Sequence, residues 1–551
     1  MNTFKLKYKD TYIENILPSS TVHEISKKVQ KDFTYPIIGA KYNNLFIDLD
    51  EVIKENGTIE FLDRSSKEGN SIYERTLEFL IIVSAKEVLK DKTDIHINYS
   101  LDSGIYCEVE GQAITNKTVS NIENKMKEIV SDDLPIIKSK VLRTNAIRHF
   151  TQTGQMDKVK NLNYTSNSTV DLHKIKNTYD YFFGPLAART SQIDRFKLTY
   201  IDKNMFVVTY PNIRKPEEIP DYVEHKNIIK KYEEVQKWSK IINIKIASDL
   251  NSWYAEGKYQ DIISLFETHF ESELSKVAED IYKKKNDIKI ILIAGPSSSG
   301  KTITTKKLSL YLKAKGIKTH QISLDDYLVD RLQTPKDENG DYDYDNIGAT
   351  DVDLFNRNLT SMLKGEKTEI PNHDFINGKL RYNGNYIKME KEDILLIEGT
   401  HALNDILTKE IERKNKYKIF ITPLVYLKID NHNRIRTTDI RKLRRIVRDS
   451  RTRNTTAEQT LKMWSNVDRG TFENIYPYQD DADAVINSSL GYEIGVLRTY
   501  AEPLLYGISP NSKVYPEAIR LINLLRQFIP ITSEGVPKDS IIREFIGEGI
   551  Y

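Results

Sequence analysis

The feature that most constrains this chain is the string from Ile291 to Leu308, ILIAGPSSSGKTITTKKL. An apolar strand candidate, IKIILIAG, runs into Gly295-Pro296-Ser297-Ser298-Ser299-Gly300-Lys301-Thr302. A helix-forming stretch, TITTKKLSLYLKAKG, follows and stops at Gly316. This is G-x4-G-K-[ST] between a strand and a helix. In such a loop the glycines let backbone N–H groups converge on phosphate oxygens, and the helix N-terminus adds positive potential. Lys301 is expected to reach the transferred phosphate and the Thr302 hydroxyl to ligate Mg2+. From 286 to about 500 apolar strands alternate with helices, as in a parallel sheet with crossovers.

Three further stretches supply chemistry. KTHQISLDDYL ends in Asp325 and Asp326. The C-terminal ends of neighbouring parallel strands meet at one edge, which is expected to bring this pair beside the loop. An acid there can accept a hydroxyl proton and help hold Mg2+. A helix N-cap is the competing reading, more for Asp326 than for Asp325. DILLIEGTHAL is an apolar strand closed by Glu398-Gly399, a place for Mg2+ and its waters. RIRTTDIRKLRRIVRDSRTR then sets Arg441, Arg444, Arg445 and Arg448 at helical spacing on one face. Such guanidinium groups can close over a triphosphate. A solvated face and an RNA-binding patch compete with that reading, and few aromatics interleave to support the patch.

With 551 residues the chain divides into roughly three or four domains. Lys plus Arg (81) nearly balance Asp plus Glu (79), and a net charge of +2 gives no general attraction to nucleic acid or membrane. The single cysteine, Cys107, excludes an internal disulfide framework, and ten histidines without paired spacing predict no structural zinc. Apolar runs such as FLIIVSA fall far short of the ~20 residues needed to span a bilayer. A soluble, cytoplasmic protein without membrane partners is expected.

Along the chain, 1–63 reads as a β-grasp-like unit, with STVHEISKKVQKDF as its capped helix. Residues 64–225 form a mixed unit opening on a helix from Ser71 to Leu89 and containing a hairpin turned at Asp202-Lys203-Asn204. Residues 226–285 are a helical connector in which Ile262, Phe266, Phe270, Leu274, Val277 and Ile281 share one face. The phosphate-loop unit spans 286–500, and 501–551 read as a helical end that packs back.

The segment 286 to about 490 resembles the uridine kinase family of phosphoribulokinase-like P-loop kinases. The resemblance rests on GPSSSGKT, SLDDY, YDYDNIGATDVDLFNRNLTSMLKGEKTEIPNHDF, IEGTHAL and RKLRRIVRDSRTR, in that order. It implies ATP or GTP as donor, Mg2+ near Thr302, Asp325 and Glu398, and a nucleoside as acceptor. It implies Asp325 as general base, and Arg444, Arg445, Arg448 and Arg453 as a lid. Asp345 would lie on the ribose hydroxyls, with His373 and Phe375 around the base. Two departures stand out: His373 replaces a Tyr, and Gly378 replaces a His, in the groups that read a pyrimidine ring.

The front half resembles threonyl-tRNA synthetase, with a TGS domain over 1–63 and the second additional, editing-like domain to about 225. The editing H-x-x-x-H is absent: SIYERTLEFLII carries Arg75 and Phe79 near those positions. Hydrolysis of mischarged tRNA is therefore not expected. YDYFFGPLAARTSQIDRFKLTY, AEPLLYGI and SIIREFIGEGIY resemble stretches of bacterial fusions of this kind. The fold class implied is multidomain α/β and α+β: a P-loop NTPase parallel-sheet domain behind a β-grasp and an editing-like α+β domain. Three readings fit: a nucleoside kinase, a nucleotide-dependent regulator whose front half contacts RNA, and a kinase for another small alcohol such as a sugar phosphate or pantothenate. Relatives of the kinase domain form dimers or tetramers, so a homo-oligomer is among the expectations.

Overall fold

The computed structural model describes residues 3–89, 93–102, 104–337, 340, 342–374 and 377–551. Its front unit is a five-stranded sheet built from β1 (Phe4–Tyr8), β2 (Thr11–Ile16), β3 (Gly39–Tyr42), β4 (Leu45–Ile47) and β5 (Gly57–Leu62). The order is β2-β1-β5-β3-β4, with β1 parallel to β5 and the other pairs antiparallel. Helix α1 (Val22–Lys27) is opened by a capping box between Thr21 and Glu24 and buries Val22 and Ile25 on the sheet.

The second unit opens with α2 (Lys67–Val88), which is capped by Ser66 and starts four residues ahead of the expected Ser71. There follow β6 (Asp94–Leu101), β7 (Gly104–Glu110), α3 (Asn116–Ser131), β8 (Ile137–Leu142), α4 (Arg143–Gln152) and α5 (Met156–Leu162). The unit ends with β9 (Thr169–Ile175), β10 (Thr178–Asp180), β11 (Lys197–Asp202) and β12 (Met205–Thr209). Two antiparallel sheets result, β11-β12-β7-β6 and β10-β9-β8. The expected hairpin joins β11 to β12, and Asp202 accepts from the Asn204 N–H at 2.7 Å to close its turn.

Helices α6 (Lys226–Ile242), α7 (Ala247–Ala255) and α8 (Tyr259–Lys283) connect to the third unit. On α8, Ile262, Phe266, Phe270, Leu274 and Ile281 are buried, and Val277 packs beside them partly covered. That apolar face meets the sheet that follows.

The sheet comprises β13 (Ile290–Ala294), β14 (Thr319–Ser323), β17 (Ile394–Glu398), β18 (Lys416–Thr422) and β19 (Ala484–Asn487). All are parallel, in the order β14-β17-β13-β18-β19. Around it lie α9 (Lys301–Ala314), α10 (Val352–Leu363) and a hairpin of β15 (Thr368–Asp374) and β16 (Lys379–Ile387). The rest is helical: α11 (Thr437–Thr452), α12 (Ala457–Lys462), α13 (Trp464–Asn474), α14 (Glu493–Tyr506), α15 (Tyr515–Leu525) and α16 (Arg543–Ile546). The strands are apolar on both faces, as a sheet covered on both sides requires. Ile291 and Ile293 join the core beneath α8, while Ile290 and Leu292 join Tyr99 and Tyr106 of the second unit. One helix, α14, runs through position 500, where the sequence suggested a boundary.

The second unit is bolted to the segment 428–436. Lys158 pairs with Asp180 at 2.7 Å and Asp430 at 3.0 Å, all fully buried, and His432 Nδ1 meets Asp180 at 2.5 Å. Arg434 pairs with Glu74 and with Glu78 at 3.1 Å. Among the described residues no helix is long and apolar enough to cross a membrane.

Candidate active site

The phosphate loop leaves β13 at the C-terminal edge of the sheet. A Cβ on Gly295 would sit 2.0 Å from the Ile421 carbonyl oxygen of β18, so only glycine lets the two backbones approach this closely. Lys301 begins α9 and donates from Nζ to the carbonyls of Gly295 at 3.0 Å and Pro296 at 3.3 Å, folded back on its own loop. Burial pushes its pKa down, and the nearby carboxylates of Glu398 and Asp325 oppose that shift.

Strand β17 lies between β13 and β14, so Glu398 rather than the Asp325-Asp326 pair ends the strand beside the loop. Glu398 Oε1 accepts from Thr302 Oγ1 at 3.3 Å and from Ser323 Oγ at 3.2 Å, linking the loop, β17 and β14. Ser323 also receives the Asp325 N–H at 3.3 Å and caps the 3-10 turn Leu324–Tyr327. The capping role that the sequence left open for the aspartates therefore falls to Ser323. Asp325 stays exposed, whereas Asp326 turns toward β15, where the Asn372 side chain donates to it at 3.1 Å.

The electrostatics show a site crowded with carboxylates. Burial, Asp325 and Glu544 push Glu398 up to about 7 against the pull of Lys301. Burial and Asp343 raise Asp345 to about 6, with Arg445, Arg441 and Lys301 opposing. Burial holds His401 down at about 4, and neither ring nitrogen has a hydrogen-bond partner, although the Asn474 backbone is close. A divalent cation would relieve this excess of negative charge. Among the described residues no three His, Cys, Asp or Glu side chains come close enough to form a metal cluster. Mg2+ in phosphoryl transfer needs only one or two protein oxygens beside phosphate and water, and Thr302, Glu398 and Asp325 fit that need.

Helix α11 grips the loop from outside. Arg441 donates from Nε to the Ser297 carbonyl at 3.0 Å, and Arg445 from Nη1 to Ser297 Oγ at 3.2 Å. Arg445, Arg448 and Arg453 gather on the buried Asp449, at 3.1, 2.8 and 3.7 Å. Arg444 differs from the expected lid set. It has 0% exposure, and its guanidinium is committed to Glu493, the Ser298 carbonyl and Ser488. It is placed as a strut between the loop and α14.

Of the residues expected around an acceptor, Asp345 and His373 are described. Asp345 packs under Gly470, and its carbonyl accepts from Asn474 at 3.1 Å. Buried His373 directs Nδ1 to the Leu328 carbonyl at 3.1 Å. Phe375 lies outside the described residues. Gly378 has φ +63°, and a Cβ there would lie 2.8 Å from Arg331 Cβ, so a side chain in this place of the expected His would be strained.

Three residues near the site were not singled out from sequence: His401, Asp343 and Glu544. His401 stands three residues past Glu398, in a motif that already pointed here. Glu544 comes from the C-terminal segment, where Ile541 packs on Gly300 and the Phe545 carbonyl accepts from Arg451 at 2.9 Å. No local pattern marks it.

Residues 290–492, rather more than a third of the chain, match the model of the Phosphoribulokinase / Uridine kinase family, and the parallel sheet with its phosphate loop is the fold that this match implies. The amino-terminal region is similar to threonine–tRNA ligases. It is 26% identical over 203 residues to that of Syntrophotalea carbinolica (36% of this chain, 32% of that protein). The likeness to threonine–tRNA ligase 1 of Bacillus subtilis is 28% over 196 residues (35% and 30%). The chain spans about a third of the length of these curated relatives. Solved structures similar to it include one titled a possible uridine kinase from Bacillus stearothermophilus, 18% identical with TM-score 0.25, covering 36% of this chain and 89% of that one. Another is D-glycerate 3-kinase from Cryptococcus neoformans, 13% identical with TM-score 0.28, covering 37% and 89%.

Proposed function

We propose that the chain is a kinase that transfers the γ-phosphate of ATP or GTP to the 5′-hydroxyl of a nucleoside. The observation that carries this reading is the convergence of Lys301, Thr302, Glu398 and Asp325 on one sheet edge, with half-buried Asp345 in the field of Lys301. In this reading Lys301 exchanges its two carbonyl partners for the β- and γ-phosphates. Asp325, exposed at the end of its strand, takes the acceptor's hydroxyl proton. Arg445, Arg448 and Arg453 turn from Asp449 toward the transferring group, where guanidinium forks stabilise charge shared over its oxygens. Arg441 and Arg444 hold the loop in shape. Thr302 and Glu398 would hold Mg2+, which supplies charge neutralisation between the phosphates. The guanidinium groups, once turned onto the phosphates, exclude water, which would otherwise hydrolyse the donor.

The acceptor assignment follows the Asp345, His373 and Phe375 positions of the family. A second reading keeps the kinase and changes the alcohol. It is favoured by the positive φ at Gly378, which disfavours any side chain there, and by the bond from His373 to Leu328, which ties up one ring nitrogen. Incubation with Mg-ATP and a panel of nucleosides, pantothenate and sugar phosphates, with detection of the phosphorylated product, separates the two. A phosphorylated nucleoside is expected. Turnover of pantothenate or a sugar phosphate alone would move the assignment to the second reading, and ATP binding with no acceptor turned over would overturn both.

A further inference from the structure

A cavity of about 1340 Å3 lies between the second unit and the C-terminal helices, and no residue of the phosphate loop lines it. Its walls come from α2, the segment 161–185, α11 with its approach, and the segments 461–465 and 498–527. Among the described residues, ten lysines and arginines line it against three carboxylates. One of these, Glu517, is already paired with Lys442 at 2.5 Å and Arg520 at 2.7 Å. Three of the cations, Arg75, Lys140 and Lys513, form no ion pair among the described residues.

Arg75 is the most telling. Its neighbours on α2 are spent elsewhere, Glu74 on Arg434 and Arg436, and Glu78 on Arg434. Its guanidinium has one hydrogen bond, to the Pro185 carbonyl at 2.6 Å, and lies against the backbone of Gly184. Burial and the like charge of Arg436 push its pKa down to about 10 against the more distant carboxylates of Glu78 and Glu74, neither of which pairs with it. Trp464, 1% exposed, lines the same cavity, and its indole Nε1 has no partner.

We propose that this cavity is a second anion site, distinct from the phosphate loop, that takes a phosphorylated small molecule. A guanidinium fork with spare donors matches a phosphate's oxygens, and Lys140 and Lys513 add unpaired charge at the wall. Enclosure by several separate segments fits a compact ligand better than a nucleic-acid strand, which tracks along an open basic groove. The site has a route to the loop: Arg436 and Lys442 border the cavity, and Arg441 and Arg445 of the same helix hold Ser297. The proposal does not rest on the acceptor or the reaction.

Calorimetric titration of the full chain with pyrophosphate tests it. The Lys301→Ala variant, its loop site crippled, is expected to retain one binding event. Adding Arg75→Gln should weaken that event roughly 10- to 100-fold, the loss expected for one charged hydrogen-bond donor. Arg75→Gln alone should keep the loop-site event, which also reports that the variant is folded. If it does not fold, Lys140→Gln with Lys513→Gln, both exposed, should weaken the same event several-fold. Loss of all pyrophosphate binding in Lys301→Ala, or residual binding indifferent to these substitutions, would overturn the proposal. So would a Lys301→Ala protein that binds a short single-stranded RNA but not pyrophosphate.

Discussion

Glu398 carries a proton more readily than an ordinary glutamate because burial, Asp325 and Glu544 all disfavour its charge. Its folded pKa, about 7, exceeds the unfolded value, so its contribution to stability is full below about 4.5 and is lost as pH rises through 7. A role in holding Mg2+ runs the other way, since only the carboxylate ligates. We therefore expect kcat/KM for Mg-ATP to fall on the acid side of pH 7, and Glu398→Gln to lower activity while flattening that limb. An unchanged acid limb in Glu398→Gln would remove the residue from that role. His401 has the opposite sign. Its folded pKa, about 4, lies below the ordinary value, so stability present above about 6.5 drains away as pH falls toward 4. His401→Gln should lose part of this acid sensitivity in a thermal melt. Lys301, Thr302, Asp325 and Glu398 were legible because each belongs to a short pattern that fixes its own backbone. The charge state of Glu398 was not legible, because Glu544, which helps set it, lies 146 positions away in the sequence.

At the level of elements, α11 divides its arginines between two jobs. Helical spacing revealed one basic stripe, but the partners that split it, Glu493, Ser488 and Asp449, include groups some forty residues downstream. Arg444→Ala removes the partner of a buried carboxylate and should cost roughly 3–5 kcal/mol in denaturant unfolding. Arg448→Ala leaves Asp449 with two other guanidiniums. It should change stability by less than about 1 kcal/mol, while lowering kcat if the side chain meets the transferring phosphate. Equal stability losses in the two variants would contradict the division. The strand order belongs to this scale too. The alternation of apolar strands and helices predicted the parallel sheet, yet β17, not β14, flanks β13. Sequence order does not fix spatial order when a later strand can insert between two earlier ones.

Across the whole molecule, the synthetase-like unit and the kinase-like unit share a buried charged seam. Lys158, Asp180, Asp430 and His432 are all enclosed, and Lys428 reaches Asn98 at 3.1 Å. Lys158→Ala should destabilise the chain by roughly 3–5 kcal/mol because it takes the lysine from between two buried carboxylates and leaves Asp180 with His432 alone. A fragment starting at residue 286 bares this seam and the Tyr99 and Tyr106 side of the sheet, so it should aggregate where the full chain does not. A well-folded fragment with intact ATP binding would show the seam to be dispensable. The succession of strand-rich and helix-rich stretches could be read from pattern and period. Their welding could not, since each partner of the seam looks like an ordinary surface charge in its own segment.

The most direct measurement of the central claim compares wild type with Asp325→Asn for acceptor phosphorylation and for ATP affinity. The account predicts turnover lower by about 10²- to 10⁴-fold with ATP affinity essentially unchanged. Equal turnover in the two proteins would contradict the assignment of the base and with it the proposed chemistry of the site.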